Sequence, residues 1–257
     1  MNQAVRICCL AAIATICLAI SALAQTSLTL TGPTSGPVYD GIYMSPYYAT
    51  VGGVTNTPVV CDDFGDDSYF NSTWNATITS FSSITSSNTS WGLAGANTSL
   101  YGAVGYLTNL VLSAAHGSTT QIIDTFALWA VFDPTGVEKY LASNPITSGP
   151  LTTAALCSDI FGTAGCTSAT AMKGGLLYTA ENGGYTTGGF LNLTVLSPEV
   201  TGTSTICKAE HGCAAQEFIT LSVPEGGSTI AYLLVAGLCC VGAMLLRSRR
   251  VVTRTIA

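Results

Sequence analysis

Apolar positions along the middle of this chain recur with two different periods, and the change from one to the other divides the sequence. Leu28 and Leu30 alternate with threonines, which predicts a first strand. Tyr47 to Val51, the Gly52-Gly53 pair and Val54 to Cys61 predict a hairpin whose second strand is delayed by Pro58. Trp74, Ala76 and Ile78 alternate with Thr73, Asn75, Thr77 and Thr79, giving a strand with one buried and one wet face. A Ser/Asn-rich connection fills 82–98.

The period then lengthens. Leu100, Ala103, Val104, Leu107, Val111 and Ala114 share one face of a helix, with Gly117 placed to end it. Ser118-Thr-Thr-Gln121 reads as a capping box opening a second helix, with Ile122, Phe126, Trp129 and Ala130 on one side and Asp133-Pro134 closing it. A connection this short predicts an antiparallel helical hairpin. A third helical stretch is expected over 169–180, weakened by Gly174-Gly175. Strand period returns at Leu191, Leu193 and Val195, and a last strand is expected over 217–223. Strands, then helices, then strands predict an α+β fold: a β-rich domain with a central helical hairpin.

Both ends depart from these patterns. Arg6, an apolar run from Ile7 and the small-residue step Ala22-Leu23-Ala24 make 1–24 an N-terminal signal peptide. Near the other end, Thr229 to Leu246 carries no charge. At 1.5 Å per residue that stretch spans roughly 27 Å, close to the ~30 Å of a bilayer core. Arg247, Arg249, Arg250 and Arg254 follow at once and hold the short tail 247–257 in the cytoplasm, so the domain over 25–222 is exported.

Val223-Pro224-Glu225-Gly226-Gly227, the apolar helix over 229–246 and the arginine cluster together resemble the PEP-CTERM sorting signal of bacterial surface proteins. Gly226 stands where the commonest form has a second proline. The resemblance implies that 223–257 is a sorting signal, read by an exosortase-type membrane enzyme that cuts near the Pro-Glu element. Three body segments, "VVCDDFGDDSYFNSTWNATI", "TQIIDTFALWAVFDP" and "GFLNLTVLSP" followed by "QEFITLSV", are similar to exported proteins carrying such signals. The family implies a location at the cell surface or in extracellular polysaccharide, and a structural or adhesive role without catalysis. It supplies no reaction.

Charge narrows the partners. Thirteen acids face three lysines over 25–222, a net of about −10. Nucleic-acid binding requires the opposite sign to displace counterions from phosphate, which removes that class. Asn-x-Ser/Thr triplets occur at Asn71, Asn75, Asn88, Asn97 and Asn192. A permanently anchored glycoprotein would use them; an Asn- and Thr-rich chain also generates them by chance. Outside the two terminal segments five cysteines remain. Cys157 and Cys166 bracket one short loop and Cys207 and Cys213 another, so two local disulfides are expected in an oxidising compartment, with pairing open and Cys61 left over.

Candidate chemistry centres on Cys61-Asp62-Asp63-Phe64-Gly65-Asp66-Asp67. The carboxylates of Asp62, Asp63, Asp66 and Asp67 are the oxygen donors that Ca²⁺ takes, although the spacing is not that of an EF-hand. The competing reading is a solvated acidic turn, and no other cofactor is indicated. Cys61, with Thr125-Phe126-Ala127-Leu128-Trp129 downstream, is similar to the layout of bacterial thioester domains, where a cysteine bonds to a glutamine of a Thr-Gln-x-Ala-Ile-Trp segment. Thr125 occupies the glutamine's place, so a covalent adhesin would have to use Gln121 one turn earlier; a buried thiol is the alternative. His116 and His211 are the only histidines, and no serine-hydrolase or zinc-hydrolase pattern accompanies them. Tyr39, Tyr43, Tyr47 and Tyr48 are candidates for a carbohydrate-stacking patch or for ordinary sheet decoration.

Overall fold

A computed structural model describes residues 25–32, 38–39, 41–65, 68–145, 151–162, 166, 174–198 and 216–221. The signal peptide, the motif over 223–227, the apolar stretch over 229–246 and the arginine cluster lie outside the described residues. No helix among the described residues is long and apolar enough to cross a membrane.

Helices and strands are both present, as expected of an α+β chain, but the strands form a closed barrel. Six of them, β1 (Gln25–Leu30), β4 (Tyr47–Val51), β5 (Val54–Cys61), β8 (Phe218–Leu221), β7 (Leu193–Pro198) and β6 (Thr73–Ser80), pair in that order and β6 returns to β1. Every pairing is antiparallel. Closure leaves no strand edge for another chain to extend. A two-stranded ribbon, β2 (Val38–Tyr39) with β3 (Ile42–Tyr43), precedes β4. The β4–β5 turn is the expected Gly52-Gly53, both at positive φ (+58° and +86°), the geometry a two-residue hairpin turn requires. Pro58 does not delay β5. It pairs with Tyr48, while the ladder to β8 begins one residue later at Val59, so the missing N–H has no ladder bond to make on that side.

Between β6 and β7, which are neighbours in the barrel, the chain inserts the helices α1 (Ser90–Leu93), α2 (Tyr101–Ser113), α3 (Thr119–Ala130), α4 (Pro134–Ser143), α5 (Thr153–Phe161) and α6 (Leu176–Asn182). The expected hairpin is α2 with α3. Ser118 caps α3, its Oγ accepting from the Gln121 N–H at 3.1 Å. The reciprocal bond is displaced by one residue, since Gln121 Oε1 accepts from Gly117 N. Asp133-Pro134 ends α3 and also begins α4, with Asp133 Oδ1 accepting from Gly136 N and Pro134 in the first turn. The pair thus stops one helix and starts another, where a stop alone is expected. Cys157, expected to flank a short loop, lies within α5 and bridges to Cys166. Of the third predicted stretch, 169–173 lie outside the described residues; within 174–182 a helix runs over Leu176–Asn182, with Gly175 at its start.

Register sorts the side chains into two cores. Directly opposed residues share a face. Leu28 opposite Val51 and Trp74, Leu30 opposite Ala49, and Cys61 opposite Phe218 therefore fill the barrel, where the Phe218 ring meets those of Tyr47 and Trp74. Val60, Ile219, Val195 and Leu193 belong to the other face and pack in one cluster with Leu107, Phe126, Leu128 and Trp129 of the helices. Helix α2 reaches its neighbours closely because Gly102 and Gly105 lack Cβ atoms. A methyl at Gly102 would lie 2.1 Å from the Tyr185 carbonyl oxygen, and one at Gly105 2.5 Å from the Phe190 ring.

Candidate functional site

Two arrangements of polar residues occur where β5 ends and β8 begins, one on each side of the same two short segments. Residues 62 and 217 turn toward the helices, whereas residues 63 and 216 line a pocket at the barrel rim.

On the helical side, Glu217 is fully buried and has three donors. The Tyr101 hydroxyl reaches Oε1, the Ser197 hydroxyl reaches Oε2, and the backbone N–H of Ser90 reaches Oε2 at 2.6 Å. One carboxylate thus ties β8 to β7, α1 and α2. Asp62, also fully buried, has no N–H or O–H donor at either oxygen among the described residues. Its neighbour is the carboxyl of Glu217. Three donors address Glu217, whereas the Asp62 oxygens meet none among the described residues, so burial favours the neutral form of Asp62. Burial raises the Asp62 pKa well above the usual carboxylate range, with further increases from the charges of Glu217 and Asp63. Burial likewise raises the Tyr101 hydroxyl, with Asp62 and Glu217 adding to the effect, and keeps it a donor.

On the rim side, a pocket of about 330 Å³ is lined by Tyr43, Tyr47, Phe64, Tyr69, Phe70 and Trp129, with Asp63, Ser68 and Gln216 as its polar groups and Leu30, Gly41 and Ile42 completing it. The ends of β1 and β5 and the starts of β4 and β8 supply much of the wall. Tyr47 donates to the Tyr43 carbonyl at 2.6 Å, and the Tyr43 ring stands edge-on to Phe70 at 5.1 Å. Phe64 lies against Trp129 at 5.3 Å, and Trp129 Nε1 donates to the Cys61 carbonyl at 3.0 Å. Gln216 Nε2 donates to the Asp63 carbonyl and Gln216 N to Ser68 Oγ, which ties the strand entering β8 to the loop leaving β5. Asp63 Oδ1 accepts from Gly65 N at 2.9 Å, so the acidic segment is a side-chain-capped turn at this point.

These positions decide how far the sequence expectations extend. Asp62 and Asp63, expected to point together at a cation, diverge to opposite sides of the segment, while Asp66 and Asp67 lie outside the described residues. Among the described residues no group of three or more His, Cys, Asp or Glu side chains is arranged to hold a metal. Of the four tyrosines, Tyr43 and Tyr47 line the pocket; Tyr39 instead packs on Phe126 within the helical core, and Tyr48 is on the barrel's outer side. Tyr69, Phe70 and Phe64 carry no periodic signal of their own; their sequence signal is the "DDFGDDSYF" run, whose acids mask its rings.

Cys61 and the helix carrying Trp129 do converge, as the thioester-like layout implies, but Cys61 is a free, buried thiol. Its Sγ donates to the Asp63 carbonyl at 3.0 Å and accepts from Asp63 N at 3.3 Å. Burial, then the charges of Asp63 and Asp62, push its pKa up, which makes it a poor nucleophile. Thr125 donates to the Gln121 carbonyl, and both ends of the Gln121 amide are engaged, at Gly117 N and the Val111 carbonyl. The Cys157–Cys166 disulfide is present; Cys207 and Cys213 lie outside the described residues. No family model, curated protein or solved structure matches the chain.

Proposed function

We propose that this chain is an exported bacterial surface or matrix protein with a non-catalytic, structural or adhesive barrel domain, delivered through the membrane and freed from it by an exosortase-type sorting enzyme. The observation that carries the reading is the order of parts at the C-terminus: Val223-Pro224-Glu225-Gly226-Gly227, an uncharged stretch over 229–246, then Arg247, Arg249 and Arg250. The body agrees with a life outside the cytoplasm in three respects. Its six barrel strands close on themselves, so the barrel offers no edge for aggregation. Its helical insertion carries a disulfide, a bond that persists in oxidising compartments. Its surface polarity comes mainly from Ser, Thr and Asn, with charged residues only 9% of the chain.

Expression in a host with and without its sorting enzyme tests the proposal. The account expects the protein to stay in the membrane fraction when the enzyme is missing and to leave it when the enzyme is present. Retention in the membrane in both hosts would overturn it. A double substitution, Pro224→Ala with Glu225→Ala, should reproduce the enzyme-free result in the complete host.

A further inference from the structure

We infer that the pocket at the barrel rim is a binding site for the uncharged sugar rings of a polysaccharide. Its volume, about 330 Å³, lies at the lower end of the range for small-ligand sites, roughly 300–1,000 Å³. That suits one or two rings better than an extended peptide. Its lining is divided in the way a sugar ring is divided. A hexose offers C–H groups of slight positive character on its faces and hydroxyls around its rim. The pocket offers the electron-rich faces of aromatic rings together with a carboxylate, an amide and a hydroxyl at Asp63, Gln216 and Ser68.

Two of the rings are exposed in a way the fold does not require. Tyr69 is 55% and Tyr43 44% accessible, among the few large apolar side chains so exposed, and both lie on this pocket. Beneath them Tyr47, Trp129 and Asp63 are more than nine-tenths buried and fixed by hydrogen bonds, so the floor is preformed. Among the described residues no Lys, Arg or His lines the pocket, and Asp63 places a carboxylate in it. Anionic ligands are disfavoured on both counts. A sugar ring brings hydroxyls to the polar groups of the lining and C–H groups to its rings, whereas a wholly apolar ligand would match the rings alone.

The choice of a polysaccharide as the carrier of those rings rests on the exported reading above; the chemistry of the pocket does not. Affinity electrophoresis of the full chain in detergent tests the inference, using native gels cast with dextran, laminarin or hydroxyethyl cellulose, with alginate as the polyanionic comparison. The expected result is retardation by at least one neutral polymer and none by alginate. Tyr69→Ala and Tyr43→Ala should each weaken the retardation about three- to tenfold, the effect of losing one ring contact. Tyr69→Phe should restore it, and Leu191→Ala, which removes an exposed apolar side chain outside the pocket, should leave it unchanged. Migration unaffected by all three neutral polymers, or retardation that survives both alanine substitutions, would overturn the inference. Retardation by a protein that the sorting enzyme never releases would sink the exported reading and leave this one standing.

Discussion

The outer surface of this barrel has two halves, and they are built on different rules. Strands β1, β4 and β6 turn Thr29, Tyr48, Thr73 and Asn75 toward solvent and their apolar partners inward, with Thr29 and Thr73 sharing a hydrogen bond at 2.7 Å across the outside. Strand β7 has no wet face: Leu193, Thr194, Val195, Leu196 and Ser197 are all buried, because the barrel interior lies on one side and the helical insertion on the other. The exposed half is specified by alternation alone. The covered half needs apolar residues on both faces, and any polar group placed there must find a partner. Glu217 and Ser197 are such groups, and they hold each other.

The largest expected effect separates the halves directly. Glu217→Ala should destabilise the fold by about 3–5 kcal/mol in chemical denaturation, since it strands the Tyr101 and Ser197 hydroxyls and the Ser90 N–H together. A loss under about 1 kcal/mol would show that the network is incidental. Leu193→Ala, on the covered face of β7, should cost about 2–5 kcal/mol by leaving a cavity between sheet and helices. Replacing Cys157 and Cys166 together by serine should cost about 2–3 kcal/mol, the loop-closure value for a nine-residue separation, measured as a shift in the urea midpoint.

A smaller, pH-dependent effect isolates the buried Asp62 carboxyl. Asp62 is an acid whose folded pKa lies above its unfolded value, so between the two the native state binds more protons than the unfolded chain. Stability therefore falls as pH rises above about 4, by at most about 1.4 kcal/mol per unit from this group. Asp62→Asn removes the titration with little change of shape, so its urea midpoint should decline less between pH 4.5 and 7.5 than that of the wild type. Equal slopes would place the proton elsewhere. Least of all should Asn75→Ala matter: on the exposed face of β6 it should stay within about 0.5 kcal/mol of wild type.

Local signals recovered the exposed half well. The paired glycines announced the β4–β5 turn, and the Thr/Asn alternation marked β6 as far as Ala76. It loses its phase at Thr79, which is buried with its hydroxyl donating to the Asn88 carbonyl in the following connection. The covered half was less legible for a related reason. Helix α3 was expected to bury one stripe, but Gln121, Asp124 and Thr125 are buried with Phe126 to Ala130, because α3 is covered by neighbouring helices as well as by the sheet. Of the buried network only Asp62 stood out in the sequence, and it was read as part of a cation turn. Tyr101 lies 116 residues and Ser197 lies 20 residues from Glu217, and nothing local marks a hydroxyl or carboxylate whose partner is so distant. The aromatic pocket was half visible through Tyr43 and Tyr47, and the rings from 64–70 completed it once the rim had closed.

Intact mass spectrometry of the protein recovered from outside the membrane tests the central claim most directly. The account predicts a single species beginning at Gln25, ending within 223–228, and carrying the Cys157–Cys166 bridge with an unmodified Cys61 thiol. A mature chain that still begins at Met1, or that retains the arginines at 247–250, would contradict it.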